Sequence, residues 1–116
     1  MYQINFIFDL VKWIESNLDG SLQIDDIAKK AGYSKWHLQR MFKNMLGQTL
    51  GTYIRFRRLV AIALKLKNTN KAIVNIAVEY HFESQQSLTR AFKKQFGVTP
   101  GYYRRNNRCI NLHIGF

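Results

Sequence analysis

The chain is short of acids, cysteine, proline and long apolar runs, and each shortage excludes something. Of its 116 residues only 7 are Asp or Glu, against 18 Lys or Arg, for a formal charge of +11. The acids are Asp9, Glu15, Asp19, Asp25, Asp26, Glu79 and Glu83, so Ile27 to Val78 and Ser84 onward contain none. With so few carboxylates, no Ser-His-Asp arrangement and no phosphate loop, an enzyme is not expected. The one cysteine, Cys109, excludes an internal disulfide framework and a Cys-rich zinc module. His37, His81 and His113 show no metal-ligand spacing with it, so no metal or cofactor is expected. No run approaches the ~18 apolar residues of a membrane span, and the N-terminus does not read as a signal peptide. A cytoplasmic protein with a reduced Cys109 is the expectation.

What is present is positive charge and helical periodicity. Eleven bases fall between Ile27 and Val78, and six more follow Ser84. Such an excess makes a polyanion the first partner to consider, nucleic acid or an anionic membrane, and charge alone does not choose. The helices cap and turn too often to leave one long basic amphipathic helix, which disfavours the membrane.

The apolar spacing predicts an all-α chain of about seven helices. The first uses Ile4, Ile7, Phe8, Val11, Ile14 and Leu18 and ends at Asp19-Gly20. The second spans roughly Ile24 to Ala31 before Gly32. Ser34 caps the third, which buries Leu38, Met41, Phe42 and Met45 and ends at Gly47. After Thr49 a long fourth helix runs from Leu50 to about Lys67, with Leu59, Ile62, Ala63 and Leu66 as its core stripe. The fifth lies near Ala72 to Tyr80, and the sixth, opened by Glu83 or Ser84, buries Leu88, Ala91, Phe92 and Phe96. Thr99-Pro100 opens a short seventh through Tyr102 and Tyr103.

The chain also repeats itself. An offset of 50 aligns Ser34 with Ser84, Leu38 with Leu88, Arg40 with Arg90, Phe42 with Phe92, Gly47 with Gly97, Thr49 with Thr99 and Tyr53 with Tyr103. Upstream the offset is 49, pairing Ile27 with Ile76, Ala28 with Ala77 and Tyr33 with Phe82, so the second copy has one extra residue in its turn. Each copy reads as helix, short turn, helix, the helix-turn-helix arrangement. The expected domains are 1–49, a linker helix 50–67, 68–108, and a tail 109–116.

The second helix of each copy carries the chemistry. With the apolar set inward, Trp36, Gln39, Arg40 and Lys43 point out of the first, and Gln85, Gln86, Thr89, Arg90 and Lys93 out of the second. Arg can pair bidentately with guanine, Gln with adenine, and Thr offers a hydroxyl or a methyl. Trp36 either lays its ring on a thymine methyl or the sugar-phosphate edge, or anchors the helix as a partly buried aromatic. His37 fits packing or a phosphate better than a metal. A second apolar stripe on the long helix, Phe56, Val60 and Leu64, either widens the core or serves a protein partner.

The stretches Gly32-Tyr33-Ser34-Lys35-Trp36-His37-Leu38-Gln39-Arg40-Met41-Phe42 and Phe82-Glu83-Ser84-Gln85-Gln86-Ser87-Leu88-Thr89-Arg90-Ala91-Phe92 resemble the AraC/XylS family of bacterial transcription regulators, and within it the small stand-alone activators of the MarA, SoxS and Rob group. Phe96-Gly97-Val98-Thr99-Pro100 with Tyr103-Arg104 resembles the closing signature of that family. The resemblance covers roughly Phe8 to Arg105. It implies two helix-turn-helix subdomains joined by one long helix, and a monomer placing both recognition helices in successive major grooves. A helix of about 18 residues at ~1.5 Å each spans ~27 Å, which suits groove openings recurring every ~34 Å once helix-pair width is added.

The resemblance carries base-reading roles onto Trp36, Gln39, Arg40, Gln85, Gln86, Thr89 and Arg90. Backbone-positioning roles fall on Lys43, Arg55, Lys93 and Arg104, and on helix N-termini such as that after Thr99. It implies double-stranded DNA as partner, at an asymmetric site of about 20 base pairs, and RNA polymerase, which activators of this group recruit. No small-molecule effector is expected, because the chain leaves no room for a separate effector domain. Control by the amount of protein, action at stress or multidrug-resistance genes, and a place on the bacterial nucleoid complete the expectation. The rival is a sequence-neutral basic packaging protein, which needs the charge but not two ordered outward sets.

Overall fold

The computed structural model describes the backbone of residues 2–106 and the side chains of residues 5–106. Cys109, His113 and the tail therefore lie outside the described residues, as does the side chain of Ile4. Seven helices and no strand form within that range: α1 Tyr2–Glu15, α2 Ile24–Ala31, α3 Lys35–Leu46, α4 Leu50–Asn68, α5 Ile73–Glu79, α6 Gln85–Phe96 and α7 Pro100–Asn106. The all-α expectation holds.

The chain divides into two compact units between Arg57 and Arg58, inside α4. In the first unit Ile7, Leu10 and Ile14 of α1 pack with Ile27 and Ala28 of α2, Leu38, Met41 and Phe42 of α3, and Leu50, Tyr53 and Ile54 of α4. In the second, Leu59, Ile62, Ala63 and Leu66 of α4 are buried, with Ile76 and Ala77 of α5, Leu88, Ala91 and Phe92 of α6, and Pro100 and Tyr103 of α7. Each unit is thus a leading helix, a helix-turn-helix pair and a trailing helix. The leading helices share one pattern, since Ile7, Leu10, Val11 and Ile14 have the i, i+3, i+4, i+7 spacing of Leu59, Ile62, Ala63 and Leu66. The first half of α4 trails the first unit and its second half leads the second. No single apolar stripe runs its length, because positions 50, 53 and 54 lie about half a turn round the helix from 59, 62, 63 and 66.

The copies repeat in detail. Phe42 meets Tyr53 with ring centroids 5.5 Å apart, and Phe92 meets Tyr103 at 5.8 Å. The Thr49 hydroxyl accepts the Thr52 N–H at 3.1 Å, and that of Thr99 accepts the Tyr102 N–H at 3.2 Å. Each closes the N-terminus of a trailing helix.

Four expectations change. Phe8 is 60% exposed and Leu10 takes its place in the core; the buried set is Ile7, Leu10 and Ile14, with Val11 half-buried against it, and the Lys12 ammonium lies 4.8 Å from the Phe8 ring instead. Helix α1 ends at Glu15, short of Leu18. There Ser16 and Asn17 donate side-chain hydrogen bonds back to the Lys12 and Trp13 carbonyls, at 3.1 and 2.7 Å, and the chain leaves the helix. The Phe56, Val60, Leu64 stripe splits, with Val60 buried, Phe56 half-buried and Leu64 exposed. Met45 and Phe96, expected inward, are half-buried at the last turns of α3 and α6.

Candidate nucleic-acid interface

The turn before each second helix sets its angle and frees one face. In the first unit Gly32 adopts a left-handed conformation (φ 79°), and its N–H and that of Tyr33 donate to Lys29 O and Ala28 O at 3.2 and 3.0 Å. In the second, His81 is left-handed (φ 65°), with His81 and Phe82 N–H donating to Val78 O and Ala77 O at 3.1 and 2.9 Å. The extra residue, Glu83, follows this shared turn, and the serine caps then coincide. Ser34 Oγ accepts from His37 N at 3.1 Å, and Ser84 Oγ from Ser87 N at 3.0 Å. Tyr33 wedges the first turn between Phe6 and His37, with ring centroids 5.0 and 5.1 Å away. His37 is therefore exposed but packed edge-on.

Leu38 and Phe42 of α3, and Leu88 and Phe92 of α6, are completely buried. That rotation sends Trp36, Arg40 and Lys43 to the exposed side of α3, with Gln39 half-buried beside them. It sends Gln85, Gln86, Arg90 and Lys93 to the exposed side of α6, with Thr89 half-buried. Gln85, Gln86, Thr89 and Arg90 line one open concavity of about 560 Å³. Trp36, 65% exposed, is not a buried anchor. The Arg40 guanidinium carbon lies 5.1 Å from its ring centroid. This i, i+4 pairing is legible in the sequence, where an Arg one turn after a Trp shares its face.

The residues expected at the phosphates fare differently. Lys43 and Lys93 are exposed near the ends of their helices, and Arg55 is exposed on α4. Arg104 is turned inward within the second unit. Its Nε donates to Leu66 O at 3.1 Å, its Nη1 to Lys71 O at 2.6 Å and its Nη2 to Thr69 O at 3.2 Å. These include carbonyls near the C-terminus of α4, where a cation also suits the helix dipole. Three donors of its fork go to holding α7 against the end of α4. The N-termini after Thr49 and Thr99 already have one N–H each occupied by the threonine hydroxyl.

The basic stretches are also less bare than their sequence. Glu15 accepts Arg57 Nε at 2.9 Å and the Tyr53 hydroxyl at 3.0 Å. Burial, then the hydrogen bond to Glu15, pushes the Tyr53 phenol up to about 12. Glu79 pairs with Lys71 at 3.0 Å and Lys65 at 3.5 Å, and Lys71 above all holds its carboxyl below the usual range. Lys35 reaches Asp25 at 3.6 Å, an exposed pair worth little. Four bases of the acid-free Ile27 to Val78 stretch therefore have acidic neighbours from outside it, and neither Glu nor Asp lies on α3 or α6. Among the described residues no group of three or more His, Cys, Asp or Glu is placed to hold a metal ion, and no helix is long and apolar enough to cross a membrane.

A paired helix-turn-helix arrangement whose second helices carry bases and no acid defines a class, and comparison with known proteins agrees. A helix-turn-helix domain family matches residues 27–106. The chain is 54% identical over 107 residues to the transcriptional regulator Rob of Salmonella typhimurium, covering 92% of this chain and 37% of Rob. It is 50% identical over 101 residues to the multiple antibiotic resistance protein MarA of Escherichia coli, covering 87% of this chain and 80% of MarA. It is 44% identical over 110 residues to the HTH-type transcriptional activator AarP of Providencia stuartii, covering 95% and 82%. Among solved structures, an AraC-type transcriptional regulator from Chromobacterium violaceum superposes with a TM-score of 0.83 at 30% identity, over 90% of this chain and 94% of that one. The chain belongs to the AraC/XylS family of helix-turn-helix transcription regulators. It spans little more than a third of Rob, a longer protein.

Proposed function

We propose that the protein is a sequence-specific DNA-binding transcription activator that reads one asymmetric site as a monomer, with α3 and α6 in successive major grooves and α4 as the link between two reading units. The observation that carries this reading is the pair of equivalent outward faces. Trp36, Gln39 and Arg40 on α3, and Gln85, Gln86, Thr89 and Arg90 on α6, stand where helix-turn-helix proteins present side chains to base edges. The two sets differ, so the two half-sites differ, and about 20 base pairs are covered with flanks. Lys43, Arg55 and Lys93 contact phosphate. Where the two units do not match straight DNA, bending makes up the difference at roughly 1–6 kcal/mol. The relatives whose names include activation and antibiotic resistance support recruitment of RNA polymerase at stress or multidrug-resistance genes, in the bacterial cytoplasm and on its nucleoid.

Selection of bound sequences from random DNA tests this directly, with binding of the winners measured at two salt concentrations. A single asymmetric consensus, with Arg40→Ala and Arg90→Ala each losing ~1–3 kcal/mol and one base preference, is the expected result. Enrichment of no sequence, with affinity falling alike on every DNA as salt rises, establishes the packaging protein instead.

A further inference from the structure

We propose that Trp36 is a positioning residue for Arg40, holding its guanidinium in place for a guanine edge, and that the second unit reads with an arginine lacking such a platform. The inference rests on the reading of α3 and α6 as base-reading helices. Trp36 is 65% exposed while Leu38 and Phe42 fill the core beneath α3, so packing does not account for its ring. Arg40 lies 5.1 Å from the ring centroid, inside the ~6 Å range of cation–π attraction. The two residues are one helical turn apart, so the pairing needs no other element to maintain it. A guanidinium resting on a ring keeps its N–H donors around its rim, where the O6 and N7 acceptors of guanine can take two of them. Holding the side chain there before DNA arrives removes part of the ordering loss on binding.

At the equivalent positions of α6, Gln86 stands for Trp36 and Arg90 for Arg40. An amide offers hydrogen bonds but no π face, so Arg90 reaches its base from a less restricted side chain. The base paired with Arg40 is then discriminated more sharply than the base paired with Arg90. Trp36 contributes to specificity mainly through its neighbour.

The test uses the full chain and the consensus from random-DNA selection, and reads both the affinity for the consensus and the ratio of matched to mismatched DNA at the base whose preference Arg40→Ala weakens most. Trp36→Ala lowers that ratio about two- to fivefold, the size of an exposed cation–π contact. Trp36→Phe, which keeps a ring, restores most of it. In an Arg40→Ala background Trp36→Ala changes neither the ratio nor the affinity for the consensus further. Gln86→Trp raises the ratio at the base read by Arg90. In the free protein, NMR shows the Arg40 side-chain protons shifted upfield by the ring, a shift lost in Trp36→Ala; because Trp36 is exposed, the variant keeps its helical circular dichroism. Equal loss from Trp36→Ala with and without Arg40, no gain from Gln86→Trp, or no ring-current shift in the wild type overturns the positioning role alone. A wild type with no base preference overturns the DNA-reading assignment itself, and this inference with it.

Discussion

In the first unit a carboxylate ties the leading helix to the trailing one: Glu15 of α1 takes hydrogen bonds from Tyr53 and Arg57 of α4. In the second unit the same two kinds of helix are tied by a cation, as Arg104 of α7 donates to Leu66, Thr69 and Lys71 carbonyls at and beyond the end of α4. The cores are near copies, down to the Phe–Tyr ring pairs and the serine and threonine caps. The fastenings are not. A duplicated unit keeps what burial demands, because a shared core admits few solutions, and is free to solve its periphery twice.

The largest effects are expected in the two cores. Phe42→Ala and Phe92→Ala remove equivalent, fully buried rings, each at a cost of ~3–5 kcal/mol. Hydrogen exchange should show lost protection within the altered unit first; equal loss in both units from either variant means the two cores unfold as one. Arg104→Ala comes next, at about 1–3 kcal/mol for hydrogen bonds from a charged group to backbone carbonyls. Urea denaturation registers this in the second unit. The salt slope of DNA binding discriminates its role: it stays unchanged if Arg104 is a clamp and falls by ~1 if it is a phosphate contact.

The carboxylate fastening adds to an alkaline effect that both units share: burial raises the Tyr53 and Tyr103 phenols alike, and Glu15 raises that of Tyr53 further. The folded phenol of Tyr53 titrates at about 12 against its ordinary value of 10.0, so this contribution to stability is complete below pH ~10 and is lost as pH rises towards ~12. A rise of that size corresponds to a loss of about 2–3 kcal/mol. Tyr53→Phe should flatten that alkaline decline of the melting temperature. Smallest is the turn. Gly32→His places a side chain where Gly32 has φ 79° and costs ~1 kcal/mol. His81→Gly relieves the same conformation in the second unit and gains less than ~1 kcal/mol, since the glycine also loosens the unfolded chain.

Most of the fold was legible because helical periodicity, caps and turn glycines are local signals. Ser34, Gly47, Ser84, Gly97 and Thr99-Pro100 bound their helices where the sequence places them. Phe8 misled because it satisfies a three-and-four spacing with Ile4 and Val11 while lying off the stripe that faces α2 and α3. The outward faces of α3 and α6 were legible too, since fixing Leu38, Phe42, Leu88 and Phe92 inward leaves the rest no choice. Arg104 was not, because its partners are backbone carbonyls over thirty residues away in sequence, and a carbonyl leaves no trace in the residue type.

The helices, the duplication and the outward residues of α3 and α6 follow from residue order alone, because each depends on neighbours one turn or one repeat away. How the charges are disposed depends on the folded chain. Glu15 and Glu79, distant from their partners along the chain or outside the acid-free stretch, return to occupy Arg57, Lys65 and Lys71, and Arg104 turns inward. Coulombic attraction and hydrogen bonding act on distance in space, which the order of residues along the chain does not record.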